Sequence, residues 1–294
     1  MIIDCFPFFN ELDLLKIRLK LLNSIVDRVV LVESTRTFSL KKKKLYYYEN
    51  KDLFKKYNSK ITNVIVDDTP ALFNRIFLRK PRDLFWLLKN KKSLSLNPHH
   101  IDFYQKNKVI NGLKNCKEDD ILLLSDLDEI PNPSVFNDLS FLEKNKNGAL
   151  ELNNFCYYLN GRLYDQNNKQ VTWMGPAILQ FKNFRSFHVE RKEAINSLKN
   201  NYANKFQIIK NAGWHFGYLG GLKKIQHKIR SAAHLELNTK KINNKDKIIK
   251  KINSGTFIVK EKQWKAKYEL MEDLFSKDIY QVLNEFPHLI KQPS

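Results

Sequence analysis

The feature that most constrains this chain is the run Ile121-Leu122-Leu123-Leu124, which ends abruptly in Ser125-Asp126-Leu127-Asp128-Glu129-Ile130-Pro131. Four apolar residues in a row read as a strand buried on both faces, the kind found in the middle of a parallel sheet. Ligands of open α/β sheets bind at the carboxyl ends of the strands, so these carboxylates fall where a site is expected. Alternation along extended backbone puts Asp126 and Asp128 on one side, where both can reach one cation. An Asp-x-Asp arrangement of this kind serves to hold a divalent metal against a diphosphate. The competing reading is an acidic turn that is merely solvated.

The rest of the chain repeats the theme. Ile2 to Phe6 reads as a strand, Glu11 to Ile25 as a helix with Leu14, Ile17, Leu21, Leu22 and Ile25 on one face, and Val29 to Glu33 as a second strand ending in an acid. Ile61 to Val66 is a third, ending in Asp67-Asp68, and a helix from about His100 to Cys116 leads into Ile121. After Asn132 as cap and Pro133 as first helical residue, a short helix runs to about Glu143. Ala149 to Tyr158 and Ala177 to Phe181 read as strands, with a loop at Trp173 to Pro176. The alternation predicts an α/β domain with a central, mostly parallel sheet, helices on both faces and its site along one edge.

Composition narrows the partners. With 51 Lys and Arg against 31 Asp and Glu the formal charge is +20, which attracts polyanions: nucleic acid, anionic lipid or phosphorylated small molecules. Much of it comes from Lys mixed with Asn and Ile, as in Lys240-Lys241-Ile242-Asn243-Asn244-Lys245, which also reads as a solvated surface. No stretch reaches the roughly 20 apolar residues of a membrane span, and the first residues lack the pattern of a secretory signal. Cys5, Cys116 and Cys156 are widely spaced and set among apolar residues, as buried thiols of a reducing compartment are. A cytoplasmic location is therefore expected.

A second segment carries chemistry. Gly213-Trp214-His215-Phe216-Gly217 is followed by Gly220-Gly221 and a helix from Leu222 to about Leu235 with Lys223, Lys224 and Lys228. Packed glycines let backbone approach a ligand closely. His215 reads either as a core histidine or as a metal ligand; one imidazole among carboxylates favours Mn²⁺ over Mg²⁺. A lysine on the following helix can neutralise a departing diphosphate.

Taken together and in order, several segments resemble glycosyltransferase family 17. They are Asp4 to Leu15, Val32-Glu33-Ser34 with Thr37-Phe38, Ser125 to Pro131, and Gly213 to Phe216 with Gly220-Gly221. Lys228, His234 and Asn238 fit as well. That family includes β-1,4-mannosyl-glycoprotein 4-β-N-acetylglucosaminyltransferases. The resemblance implies a GT-A-type, Rossmann-like single domain, a UDP-sugar donor (UDP-N-acetylglucosamine by precedent), a divalent metal and inversion at the anomeric carbon. It implies that Asp126 and Asp128 hold the metal, with Glu129 beside them and His215 as third ligand. By wider analogy with GT-A enzymes, Glu33 and Ser34 face the nucleoside of the donor, and Asp126, Trp214 and Lys228 bind the donor too, Lys228 against the diphosphate.

The expected organisation is a transferase domain over residues 1–240, with a nucleotide-sugar half at 1–133 and an acceptor half at 134–240. A Lys/Asn-rich helical extension follows at 241–294. Departures from animal members of the family, the missing anchor and signal, point to a glycan or lipid-linked saccharide as acceptor and to peripheral membrane contact, with Trp86 in the basic stretch Ala71 to Pro98 as one candidate surface. Glu190 is the candidate catalytic base, with Glu151, Asp165 and Glu193 as alternatives; Trp173 and Tyr157 are candidates to stack on a sugar. The alternatives from other classes are a basic nucleic-acid-binding protein and a metal-dependent nuclease. The dispersal of the basic residues speaks against both.

Overall fold

Apolar runs with β-branched residues dictate the first half of the sheet. In the computed structural model, which describes residues 1–69, 98–197, 205–231, 237–259 and 263–292, strand β1 spans Ile2–Phe8, β2 Arg28–Ser34, β3 Ile61–Val66 and β4 Ile121–Leu124. All pair in parallel, in the order β4-β1-β2-β3. Their carboxyl ends therefore share one edge, and the Ser125–Glu129 turn leaves from that edge.

Beyond β4 the sheet changes character. Strand β5 covers Glu129–Pro131, β6 Asn147–Cys156, β7 Gly161–Asp165, β8 Thr172–Gln180, β9 Phe206–Ile209, β10 Gly213–Gly217 and β11 Trp264–Tyr268. Here β4, β6, β7, β8 and β11 join antiparallel, while β9 and β10 run parallel to β6. The whole is one mixed sheet in the order β11-β7-β6-β8-β4-β1-β2-β3, with β5, β9 and β10 attached beside that path. The mostly parallel sheet that the sequence predicts is a mixed one, parallel in its N-terminal half and largely antiparallel beyond β4. The stretch Trp173 to Pro176, expected as a loop, is continuous strand in β8.

Alternation decides which helix covers which face. Helix α1 (Leu12–Leu22) packs with Phe6, Phe8, Leu31 and Leu123 on one face. On the other face Ile3, Cys5, Val30, Leu122 and Leu124 share a core with Val109 and Leu113 and with helix α3 (Phe187–Asn196). Helix α2 (Pro98–Asn107) packs against α3 on that side. Helices α4 (Gly221–Ser231) and α5 (Lys245–Ser254) cover β7 and β11, with Ile225, Ile229, Ile248 and Ile252 against Leu163 and Ala266.

The segment after residue 240, expected as a helical extension, also contributes strand β11. Its helix α6 (Lys277–Asn284) packs on α1 and sends Ile279 and Leu283 into the same core as Leu15. The chain forms a single α/β domain with helices on both faces. Among the described residues no helix is long and apolar enough to cross a membrane. Trp86 and His234 lie outside the described residues.

Candidate functional site

The turn after β4 is held from beneath. Arg18 of α1 sits among leucines on the apolar face of its helix and is fully buried. Its guanidinium forks onto Asp4 of β1 at 2.7 and 2.6 Å and donates to Ser125 Oγ at 2.6 Å. It also donates to the carbonyl oxygens of Asp126, Leu127 and Glu129 at 3.1, 3.3 and 2.8 Å. A buried charge is tolerated only when paired and saturated with hydrogen bonds, and this one is. Asp4 and Arg18 thereby fix the backbone from which the site acids project.

Three strands set the remaining geometry. In register, His215 of β10 lies opposite Glu129 of β5 on one side and Asn154 of β6 on the other. Cross-strand neighbours of this kind present their side chains together, and His215 Nδ1 is 3.0 Å from Asn154 Oδ1. Burial pushes the imidazole down to about 4, against the pull of Asp128, so it is neutral near pH 7. An amide oxygen facing Nδ1 selects the tautomer with its proton there and leaves a lone pair on Nε2. That Nε2 is 3.8 Å from Asp128 Oδ2, and the ring stacks on Trp173 with centroids 4.4 Å apart.

Asp128 has a second neighbour. Lys228 of α4 donates to the same Oδ2 at 2.7 Å. Burial opposes the charge on Asp128, but Lys228 and His215 outweigh it and hold the carboxyl below its usual range.

Asp126 faces a different set. Lys106 of α2 lies 2.9 Å from its Oδ1 and Arg191 of α3 2.8 Å from its Oδ2, and Lys106 also reaches Asp102 at 3.2 Å. Burial again opposes ionisation, and again the cations, Arg191 first, hold the carboxyl well below the ordinary range. Arg191 also bonds both oxygens of Glu129, at 2.5 and 2.7 Å, and Trp173 Nε1 donates to Glu129 Oε1 at 2.7 Å. One guanidinium serves two carboxylates unequally: Asp126 stays ionised, while burial lifts Glu129 to about 7 despite Arg191. Gly175 makes room for this knot, since a Cβ there would sit 2.5 Å from Glu129 Oε1 and 3.0 Å from an Arg191 nitrogen.

The structure thus brings Asp126, Asp128, Glu129, His215 and Lys228 together at the carboxyl edge. Other candidates go elsewhere. Trp214 alternates with His215 along β10 and so points to the opposite face, where it is buried against Phe275 with ring centroids 5.6 Å apart. It is a core residue, not a donor contact. Glu33 is fully buried and accepts from the backbone N–H groups of Tyr47 and Tyr48 at 3.1 and 3.3 Å, with Lys43 at 3.7 Å. Ser34 Oγ accepts from the Arg36 amide at 3.1 Å. Both residues shape the loop after β2 instead of facing a nucleoside.

The acid candidates for the base are likewise committed. Glu190 is 1% exposed and takes three hydrogen bonds from Arg185, at 3.1, 2.8 and 3.0 Å, which makes it an anchor for the start of α3. Glu193 shares that arginine, Asp165 closes a turn onto Asn167 and Lys169, and Glu151 accepts from Thr172. Tyr157 is buried with its hydroxyl on the Thr256 carbonyl, so it offers no face to a sugar.

Sequence reasoning missed Arg18, Lys106, Asn154 and Arg191, and met Asp4 only as the start of a motif. As to a metal, no group of three His, Cys, Asp or Glu side chains converges among the described residues. What converges is a pair, the Asp128 carboxylate and the Nε2 lone pair of His215. A carboxylate with a neutral imidazole fits a divalent ion whose other positions a ligand and water fill.

An α/β domain that gathers acids, lysine, arginine and a neutral imidazole at the carboxyl edge of its parallel strands is built to hold a charged ligand. The model for glycosyltransferase family 17 matches residues 1–277, and the chain belongs to that family. The match runs past β11 to the start of α6. No curated protein matches the chain.

Proposed function

We propose that this glycosyltransferase is a metal-dependent, inverting enzyme of GT-A type. In this reading it moves a sugar, N-acetylglucosamine by family precedent, from a UDP-sugar to a hydroxyl of a glycan or lipid-linked saccharide. The observation that carries the reading is the convergence of His215 and Lys228 on one carboxylate oxygen of Asp128 at the sheet's carboxyl edge. Asp128 and His215 would hold Mn²⁺ or Mg²⁺, and such an ion supplies Lewis-acid stabilisation of a departing diphosphate. Asn154 fixes the imidazole's tautomer, Lys228 offers an ammonium to the diphosphate, and Trp173 holds the imidazole plane.

Asp126 takes a supporting part in this reading. With Lys106 and Arg191 on its two oxygens, it anchors the cations that brace the turn. Membership in a transferase family favours this chemistry over the nuclease and nucleic-acid-binding alternatives. A cytoplasmic enzyme working beside a membrane on a lipid-linked acceptor suits the +20 charge.

Calorimetric titration with UDP and a panel of UDP-sugars, in Mn²⁺ and then in EDTA, tests the proposal. Metal-dependent binding of UDP and one UDP-sugar, lost in Asp128→Asn, is the expected result. A folded protein that binds none of them in Mn²⁺ overturns the UDP-donor reading.

A further inference from the structure

Among the described residues, one of the cations around the site acids is placed to leave. Arg191 is 8% exposed and spreads over Asp126, both oxygens of Glu129 and the Gly175 carbonyl. The Lys106 side chain is 15% exposed and lies between two carboxylates. Lys228 differs: its side chain is 35% exposed, and its ammonium bonds Asp128 Oδ2 at the end of a flexible four-carbon stem. The helix beneath it is fixed, because Ile225 and Ile229 are buried in the core. The side chain can therefore swing while its root stays in place.

The oxygen that Lys228 holds is also the one His215 Nε2 faces at 3.8 Å. A divalent ion bound between His215 and Asp128 must contest that oxygen with an ammonium 2.7 Å away, and the two cations repel. Resting on the metal and diphosphate reading above, we propose that Lys228 is a latch on Asp128. It keeps the two-ligand site closed to a metal ion until a diphosphate offers the ammonium another acceptor. Each ligand then eases entry of the other. Such coupling is reciprocal and ordinarily amounts to about 5–150-fold in affinity. The enzyme takes up metal and nucleotide as a pair and binds free metal poorly.

Isothermal titration of MnCl₂ into the wild-type chain, Lys228→Met and Lys224→Met, each with and without UDP, tests the latch. Lys224 is the control: it lies one turn earlier on the same helix and pairs with Asp13 at 2.9 Å, so its loss changes net charge equally without touching Asp128. Without UDP, Lys228→Met is expected to bind Mn²⁺ about tenfold more tightly than the wild type, and Lys224→Met to match the wild type. In Lys228→Met the gain that UDP gives to Mn²⁺ affinity is expected to shrink by a similar factor, within the ordinary range of coupling. The latch is overturned if Lys228→Met binds Mn²⁺ alone no better than Lys224→Met. If the wild type binds no Mn²⁺ even with saturating UDP, the metal reading falls and the latch falls with it.

Discussion

Asp126 and Asp128 stand two residues apart in one motif, yet they live in opposite surroundings. The Asp126 side chain is the more exposed of the two, 32% against 12%, but both its oxygens are held by cations that are themselves nearly buried. Asp128 is the more enclosed, but its partner Lys228 reaches solvent. The freedom of an acid in such a site is set by the freedom of its counter-charge. In the proposed reading the Asp126 arm, with Arg191, Lys106, Glu129 and Trp173, is structural masonry, and the Asp128 arm, with His215 and Lys228, is open to exchange.

The sharpest way to break this contrast is to remove the arginine. Arg191→Ala leaves Glu129 buried with its main cation gone and strips one oxygen of Asp126, and removing one partner of a buried ion pair costs about 3–5 kcal/mol. Chemical denaturation should show a loss of that size, and Arg191→Lys, which cannot fork onto two carboxylates, should recover only part of it. A loss under about 1 kcal/mol would mean that the Asp126 arm is no more fixed than its neighbour.

Acidity separates the arms by sign. His215 is depressed from 6.5 to about 4 by burial, so the folded state binds fewer protons there than the unfolded chain. Its contribution is fully present above about pH 6.5 and is lost as pH falls toward 4, by about 3 kcal/mol at 1.36 kcal/mol per unit. Glu129 is raised from 4.5 to about 7, again by burial first, so its contribution is present below about 4.5 and is lost as pH rises through 7. Urea melts from pH 4 to 8 should show His215→Asn flattening the acid limb and Glu129→Gln flattening the neutral one. Identical pH profiles in the two variants would erase the distinction.

Gly175 tests the masonry from a third side. A methyl group there meets Glu129, Trp173 and Arg191 at 2.5, 2.8 and 3.0 Å, and both Trp173 and Arg191 are hydrogen-bonded to Glu129. None can yield cheaply. Gly175→Ala should cost about 1–3 kcal/mol in denaturation, as overpacking does, and should weaken UDP binding less than Lys228→Met does.

Much of this was legible in the sequence where the signal is local. The run at Ile121 shows itself because a strand buried on both faces must be apolar throughout, and the acids after it stand out because they break that run at its carboxyl end. The counter-charges were not legible. Lys106 and Arg191 come from distant helices, and in a chain with 51 Lys and Arg one more basic residue carries no local signal. Arg18 did leave a trace, as the one cation between Leu14, Ile17, Leu21 and Leu22 on an apolar helix face. The glycines at 213 and 217 drew the eye to a ligand loop. Read instead as a strand, the same five residues put Trp214 and His215 on opposite faces and would have sent the tryptophan to the core. Trp264-Lys265-Ala266-Lys267-Tyr268 alternates just as plainly, but it was hidden inside a lysine-rich tail.

The smallest expected effect makes the contrast sharpest. Lys228→Met removes a partner whose side chain is 35% exposed, and an ion pair screened by solvent to that degree contributes about 0–1 kcal/mol. Asp128 keeps His215 beside it and its own carbonyl on the Phe216 amide at 2.8 Å, so the turn does not move. Denaturation should therefore register almost nothing, while calorimetry should register a large change in how MnCl₂ and UDP bind. A substitution silent in stability and loud in binding is what an exchangeable counter-charge produces, and Arg191→Ala should be loud in stability instead. If Lys228→Met instead destabilises the protein as much as Arg191→Ala, the lysine is masonry too, and the two aspartates differ in exposure but not in role.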